Sequence, residues 1–313
     1  MEDETCDILD LAWQSLFSDS GNQLRTSALT CAAVTCLVFV TAELSRNCSQ
    51  VDKLWSIIPA VYCWIVVVDE RTLVMAILST LWSVRLTFNF ARRGGYKWPP
   101  WDGDEDYRWE ILRKGDIIPI INNKIVWFLF SLFFIAIYQN ILLWLMVSPS
   151  AVAFLVAQST TCQSQPLNGY DYFAALMMGV FIGVETVADN HQYAFQTEKY
   201  RRKDAGLKLE GDYSDGFCQS GIFSILRKPN YAAEQSIWIS FYIFSVGSVG
   251  GRTLNTPAII GPALIVSLFA ATGPFTEHIT IQKYEKYLDY KKRVPLYIPN
   301  PFSWAKNSKS KRS

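Results

Sequence analysis

Six long apolar blocks, separated by segments that carry most of the charges, constrain the fold of this 313-residue chain more than any other feature. A helix that crosses a bilayer needs about 20 predominantly apolar residues. The candidate blocks are residues 27–44, 72–90, 125–147, 170–188, 235–250 and 257–275. Residues 54–68 form a shorter block that contains Pro59, and it is either a tilted span or a re-entrant segment. The pattern predicts an all-α polytopic membrane bundle of about seven transmembrane helices.

The basic residues are unevenly distributed among the connecting segments. Lys and Arg are concentrated in residues 91–124, in residues 196–233 and after residue 282, whereas residues 148–168 contain none. Because connecting segments rich in Lys and Arg stay on the cytosolic side of a membrane, we expect these three segments and the C-terminus to be cytosolic. With seven spans the N-terminus faces the lumen or the exterior. It becomes cytosolic if residues 54–68 do not cross.

Composition argues against several classes of function. The net charge is +1 and no basic stripe carries interleaved aromatic residues, so we expect no nucleic-acid partner. Two histidines and seven cysteines without a CxxC pair predict no metal site. An acidic head replaces the basic start of a secretory signal, so we expect no cleavable signal peptide. We expect an acidic segment at 1–26, one membrane domain at 27–302 and a basic tail at 303–313.

The last five residues bear on location. Lys309 and Lys311 stand fifth and third from the end. This arrangement resembles the dilysine retrieval signal of endoplasmic reticulum membrane proteins, which a receptor reads as an address. It predicts that location, although a solvated basic tail has the same composition.

Two clusters of charge lie on the fourth block and just beyond it. Glu185 and Asp189 are four residues apart and therefore share one face of a helix. A charge inside a span is costly and usually faces a polar cavity or a partner, so the pair either binds a ligand or caps the helix and pairs with Lys199 or Arg201. Lys199 and Arg202 belong to a basic run suited to phosphate groups, although the topology rule alone also produces such a run.

A third cluster precedes the fifth block: Arg227, Lys228, Asn230, Tyr231 and Glu234. Pro229 disfavours helical geometry at the residue before it and fits the first position of a new helix. Asn230 and Tyr231 then lie in the first turn, where unpaired amides and the helix dipole favour an anion. The cluster predicts a pocket for an anionic ligand at the membrane surface.

A fourth cluster follows the sixth block. It contains Glu277, Tyr284 and further tyrosines, and it ends in a Val-Pro…Ile-Pro segment that we expect to turn back towards the bilayer. By itself it also fits an amphipathic surface helix with interfacial aromatic residues.

From Glu185 to Phe302 the order of these motifs resembles the steroid 5α-reductase C-terminal-like family of membrane proteins. The family pattern is an acidic helix end, then Arg-His-Pro-Asn-Tyr with a glutamate three residues on, then a Tyr-rich segment ending in Val-Pro…Ile-Pro. Residues 51–55, 81–86 and 105–108 are similar to its subgroup of uncharacterised members, DUF1295.

The resemblance implies a helical cup that opens to the cytosol and holds NADPH, with a lipid substrate that enters from the bilayer. It assigns cofactor binding to the C-terminal half, residues 170–302. The residues that we expect to bind the cofactor are Glu185, Asp189, Lys199, Arg202, Arg227, Lys228, Asn230, Tyr231, Glu234, Glu277 and Tyr284.

The chain departs from the family pattern at two positions. Lys228 stands where the family has histidine, so a positive charge is kept and the imidazole is absent. The steroid reductases also use an acidic residue and a tyrosine in the N-terminal half to polarise the substrate carbonyl. Alignment puts Trp82 at the place of that tyrosine, and an indole donates a hydrogen bond but is no proton source. We therefore name Tyr62 and Asp52 as the catalytic candidates.

The leading hypothesis is an NADPH-dependent oxidoreductase that reduces a C=C bond conjugated to a carbonyl, or a similarly activated bond, in a sterol-like or long-chain lipid. A hydride passes to the β carbon, a polar group stabilises the enolate and a proton follows. An S-adenosylmethionine-dependent methyltransferase is the alternative, since membrane methyltransferases share the Arg-His-Pro-x-Tyr…Glu pattern. Lys228 and Trp82 leave a third hypothesis open, a non-catalytic lipid-binding protein.

Overall fold

The structure, a computed structural model, describes residues 6–18, 22–115, 117–252 and 256–299. Across these residues the chain forms helices and connecting segments and no strand, which confirms the predicted all-α fold. The basic tail at 303–313, with its dilysine-like end, and the first acidic residues lie outside the described residues.

Thirteen helices follow one another along the described chain. They are α1 (Ile8–Phe17), α2 (Gln23–Ser45), α3 (Gln50–Trp55), α4 (Ile58–Ile65), α5 (Glu70–Ala91), α6 (Tyr107–Lys114), α7 (Lys124–Met146), α8 (Ser148–Gln158), α9 (Gly169–Asp204), α10 (Asp212–Asp215), α11 (Pro229–Ser248), α12 (Ile260–Lys283) and α13 (Tyr287–Arg293). Among the described residues α2, α5, α7, α9 and α12 are long and apolar enough to cross a membrane, with α12 extended by the 3₁₀ turn Pro257–Ile259. The chain is therefore a helical membrane protein.

The helix ends differ from the predicted blocks for identifiable reasons. The helix α9 continues past the fourth block to Asp204, because Glu198 pairs one turn away with Arg201 and Arg202 and supports the polar extension. The helix α11 begins at Pro229, as expected from the preference of proline for the first helical position. The short block at 54–68 is divided between α3 and α4, with a proline in the first turn of α4.

The chain divides into two compact units. Unit 1 comprises residues 1–176 and 240–264, and unit 2 comprises residues 177–239 and 265–313. The helices α9, α11 and α12 contribute residues to both units. All eleven residues predicted to bind the cofactor belong to unit 2, and the two catalytic candidates belong to unit 1.

Two long-range links fasten one end of unit 1. A disulfide joins Cys6, just before α1, to Cys162, in the segment between α8 and α9. The sequence pattern did not predict this bond. Arg71, at the start of α5, forms a buried pair with Asp171, at the start of α9, through Nε–Oδ1 at 2.7 Å and Nη2–Oδ2 at 2.9 Å. The guanidinium of Arg71 also donates to the carbonyl oxygen of Gly247, at the end of α11.

Candidate functional site

An ion pair between Arg227 and Glu277 is the central polar contact of unit 2. Arg227 donates from Nε to Glu277 Oε1 at 2.5 Å and from Nη2 to Oε2 at 3.2 Å. Its Nη1 donates to the carbonyl oxygens of Lys291 and Val294, and Tyr287 donates its hydroxyl to Glu277 at 3.0 Å. The two side chains are only 8% and 2% exposed. Since one ion of a buried pair is costly without the other, each fixes its partner in place.

The Val-Pro…Ile-Pro segment lies along the third cluster. The amide of Arg227 donates to the carbonyl oxygen of Pro295 at 2.9 Å, and the amide of Lys228 donates to that of Leu296 at 3.3 Å. Main-chain bonds therefore join two motifs that are far apart in the sequence. The segment therefore runs beside the residues that lead into α11, and its direction relative to the bilayer stays a prediction.

Aromatic rings fill the space beside this ion pair. Phe217 packs against Tyr287 and Tyr290 at centroid distances of 5.0 Å and 5.5 Å. Tyr290 donates its hydroxyl to the carbonyl oxygen of Phe223 at 2.5 Å. Burial raises the pKa of both tyrosines, and for Tyr287 the charge of Glu277 adds to the effect. Both phenols are therefore neutral hydrogen-bond donors at physiological pH.

The least buried side chains of the third cluster lie in the first turn of α11 or immediately before it. Lys228, Asn230 and Tyr231 are half-buried, and the ammonium of Lys228 lies 5.2 Å from the centroid of the Tyr231 ring. Glu234, one turn on, is buried and accepts a hydrogen bond from Trp238 Nε1 at 2.9 Å. The positions expected to bind an anion are thus partly accessible at the start of the helix.

Lys199 is buried, and its ammonium group has hydrogen-bond acceptors within the protein. Its Nζ donates to the carbonyl oxygen of Gly216 at 2.9 Å and to the Tyr284 hydroxyl at 3.3 Å. Gly216 has a φ of +90° and its Cα faces the ring of Tyr284, so a side chain has no room there. These contacts bring the second and fourth predicted clusters together.

The remaining predicted residues of α9 differ in burial. Glu185 and Asp189 are both buried, as their shared helical face leads one to expect. Arg202 is half-buried, pairs with Glu198 at 2.7 Å and stacks over the ring of Tyr213 at 4.6 Å. Part of the basic run therefore forms pairs within its own helix. Binding of a ligand by these residues stays a prediction.

The two catalytic candidates in unit 1 have different partners. Asp52, in α3, accepts a hydrogen bond from Trp109 Nε1 at 3.1 Å. Burial raises the pKa of Asp52, and the charge of Arg108 opposes the rise. Tyr62, in α4, is 1% exposed, and its hydroxyl lies beside the Cys31 thiol. Among the described residues that hydroxyl has no other polar partner. Asp52 thus supports a neighbouring segment, whereas Tyr62 has an unused donor.

Trp82, at the position aligned with the family tyrosine, is fully buried in unit 1. It fills core volume on α5 together with Met75 and Ala76, which are also fully buried. This position therefore has a packing role in the chain.

A buried lysine that was not singled out from the sequence, Lys53, binds the segment after α5. Lys53 donates from Nζ to Gln50 Oε1 at 3.2 Å and to the carbonyl oxygens of Pro100 and Asp102 at 3.1 Å and 2.5 Å. Gln50 in turn donates to the carbonyl oxygen of Trp101 at 2.8 Å. The signal in the sequence that could have identified Lys53 is a lysine next to a short apolar block. Its carbonyl partners lie about 50 residues away, and residue spacing does not predict such contacts.

Comparison with known proteins gives two matches. The family model described as a protein of unknown function, DUF1295, matches residues 38–294. An uncharacterized protein of Schizosaccharomyces pombe is 32% identical over 270 residues, which is 82% of this chain and 73% of that protein. No solved structure matches the chain.

Proposed function

This chain belongs to the DUF1295 family, whose function is unknown, and we propose that it is a membrane-embedded, NADPH-dependent reductase of an activated C=C bond in a sterol-like or long-chain lipid. The observation that supports the proposal is that contacts within unit 2 join three of the four sequence clusters, through Arg227–Glu277 and Lys199–Tyr284, while the remaining cluster contributes buried carboxylates to the same unit. Two of the clusters supply the Arg227–Glu277 pair, and the others supply Lys199 and the buried carboxylates of α9.

Buried charge is the main argument for a ligand site in unit 2. Ionised groups near the ends of membrane helices cost several kcal/mol to bury unless they are paired, and such groups are concentrated at functional sites. Six ionisable side chains of the predicted set are buried: Glu185, Asp189, Lys199, Arg227, Glu234 and Glu277. A bundle that only had to be stable would gain more from apolar residues of similar volume.

The contacts suggest a division of roles within the predicted set. All three guanidinium nitrogens of Arg227 donate to groups of unit 2, so we assign it to positioning the turn before α11. Lys228, Asn230 and Tyr231 are half-buried and are assigned to ligand contact. The partly accessible start of α11 and the ammonium of Lys228 suit a phosphate or carboxylate group.

The residues of the chain also suggest how a lipid is handled. NADPH, when bound, supplies the hydride. The exposed apolar side chains of the membrane helices suit contact with lipid, and we propose that the substrate enters from the bilayer. We assign Tyr62 to hydrogen bonding with the polar group next to the reduced bond, since its hydroxyl is buried and retains a donor. We assign Asp52 to supporting the segment that contains Trp109.

Nucleotide binding to the purified protein tests the proposal. Asn230→Ala removes the side-chain amide of a half-buried residue and Tyr231→Phe removes one hydroxyl, so we expect NADPH affinity to fall by about threefold to tenfold with folding unchanged. Lys228→His keeps a cationic or donor group and should be tolerated. Tyr172→Phe is the matched control, since Tyr172 is 66% exposed in unit 1.

Calorimetric titration with NADPH and with S-adenosylmethionine separates the competing functions. Binding of S-adenosylmethionine alone would refute the reductase and favour a methyltransferase. If neither compound binds, a non-catalytic lipid-binding role is favoured. NADPH affinity that is equal in the wild type, Asn230→Ala and Tyr231→Phe would place the nucleotide elsewhere.

A further inference from the structure

The helix α1 presents three distinct surfaces. Ile8, Leu11, Ala12 and Leu16 pack against the core of unit 1, where they contact residues of α2 and α8. Leu9, Trp13 and Phe17, spaced by four residues, are 65%, 63% and 63% exposed. Asp10, Gln14 and Ser18 are exposed and lie on the remaining side. Each set covers roughly one third of the helix circumference, since successive residues are about 100° apart.

The order of these surfaces around the helix fits a position at the membrane boundary. The apolar stripe, which we define as Leu9, Trp13 and Phe17, lies between the packed surface and the polar surface. A helix that packs against a membrane protein at the bilayer surface has one face in contact with protein, one with lipid and one with water. The rings of Trp13 and Phe17 lie 4.4 Å apart, so they present one continuous aromatic surface. Tryptophan is enriched at this depth of a membrane.

The chain on either side of α1 fixes the depth of this helix relative to the membrane. Five residues separate Phe17 from Gln23, where the membrane-spanning helix α2 begins. At the other end, the Cys6–Cys162 disulfide ties the start of α1 to the segment that precedes the membrane-spanning helix α9. The Asp7 side chain caps the helix by accepting from the amides of Leu9 and Asp10. Both ends of α1 are therefore held where spanning helices enter the bilayer.

We propose that α1 is a disulfide-tethered interfacial helix whose apolar stripe inserts into the lipid on the non-cytosolic face of the membrane. Disulfides persist in oxidising compartments, which assigns Cys6, Cys162 and α1 to that face. Asp7 and Asp10 are its charged residues and it carries no Lys or Arg, so the lipid surface that it fits is zwitterionic or neutral.

Site-specific quenching in nanodiscs of phosphatidylcholine tests the insertion. The Cys36→Ser background removes the exposed free cysteine among the described residues, and the other free cysteines there are buried. Trp13→Cys and Phe17→Cys report on the stripe, and Gln14→Cys is the matched control on the polar surface. Each variant carries one environment-sensitive dye, and alkylation of Cys6 and Cys162 only after reduction shows that the native disulfide has formed.

We expect quenching by nitroxide-labelled lipid to be at least about threefold stronger at Trp13→Cys and Phe17→Cys than at Gln14→Cys. Quenching by aqueous iodide should instead be stronger at Gln14→Cys than at the two stripe positions. Equal iodide quenching at all three positions would show that α1 lies in water. If neither quencher reaches the two stripe positions, protein covers the stripe, as a second copy of the chain would, and the proposal is wrong.

Discussion

Arg227 is a buried residue whose described hydrogen bonds all go to groups of unit 2. Its guanidinium donates to Glu277 and to two main-chain carbonyls, so loss of the side chain leaves the buried carboxylate with the more exposed Lys291, 3.3 Å away, as its cation. We expect Arg227→Met to lower the free energy of unfolding by about 3 kcal/mol, the lower end of the usual cost of removing one partner of a buried ion pair, because Lys291 stays in place. Thermal unfolding in detergent, followed by tryptophan fluorescence, measures the change.

Two further variants test whether the buried charge is the cause. Arg227→Met combined with Glu277→Leu removes both ions and should recover part of the lost stability. Arg201→Met is the control, because Arg201 pairs with Glu198 on the surface and exposed pairs contribute little. A double variant that is no more stable than Arg227→Met would show that the main-chain bonds of Arg227 matter more than the ion pair.

The residues of the site could be predicted from the sequence more readily than their roles. Arg227 and Glu277 attract notice because they are charges beside apolar blocks. Nothing in their spacing indicates that they pair across 50 positions. Lys53 escaped notice for the same reason, since its acceptors are carbonyl groups, which every residue has. The chemistry of a side chain can be predicted locally, but its partner depends on the fold.

At the scale of single elements, the predicted apolar blocks coincide with helices and the predicted ends are less accurate. A membrane segment must satisfy all its backbone hydrogen bonds internally, so twenty apolar residues leave few structures other than a helix. The ends depend on contacts beyond the block. The start of α11 followed from Pro229, whereas the extension of α9 to Asp204 depends on side-chain pairs and on buried Phe195.

The segment that follows α13 depends on a glycine in α12. A Cβ atom at Gly273 would overlap the hydroxyl of Tyr297, which donates to the carbonyl oxygen of Phe269 at 2.6 Å. We expect Gly273→Ala to displace this segment from α12 at a cost of about 1–3 kcal/mol, as is typical of overpacking. Thermal unfolding gives the cost, and trypsin should cleave faster at the basic end of α13.

Gly183→Ala in α9 is the matched control for this change. A Cβ atom at Gly183 has no neighbour within 4 Å, so the substitution should not lower stability. If Gly273→Ala and Gly183→Ala behave alike in both measurements, the close contact between Gly273 and Tyr297 does not hold the segment in place.

For the whole molecule, contacts within unit 1 bear on the number of spans. Lys53, after α2, binds the segment that follows α5, whereas Arg71, at the start of α5, binds Asp171 at the start of α9. The chain between Lys53 and Arg71 therefore runs from one end of α5 to the other, which favours a crossing by α3 and α4 together. If α11 also crosses, the five long helices and the α3–α4 segment give the seven crossings that the sequence predicts.

The crossings divide the connecting segments into two groups that differ in charge. The group with the N-terminal segment includes residues 147–168, which contain no Lys or Arg, and residues 249–259, which contain Arg252. The other group includes residues 92–123 and 205–228, which are rich in Lys and Arg. The disulfide independently joins the N-terminal segment to residue 162. Two unrelated physical rules, positive charge inside and disulfides outside, thus agree on the same orientation.

Labelling of single cysteines in intact membranes checks this orientation. In the Cys36→Ser background, a membrane-impermeant maleimide applied from the outer or lumenal side should label Ser164→Cys, while Asp104→Cys and Ser214→Cys react only after the membrane is opened. Asp104 is preferable to its neighbour Gly103, whose φ of +130° does not suit a side chain. If Asp104→Cys and Ser164→Cys react from the same side, α7 does not cross. If both react only after the membrane is opened, Ser164 is cytosolic and the charged end of α9, one crossing further on, lies outside the cytosol, away from cellular NADPH, so the proposed reductase could not work.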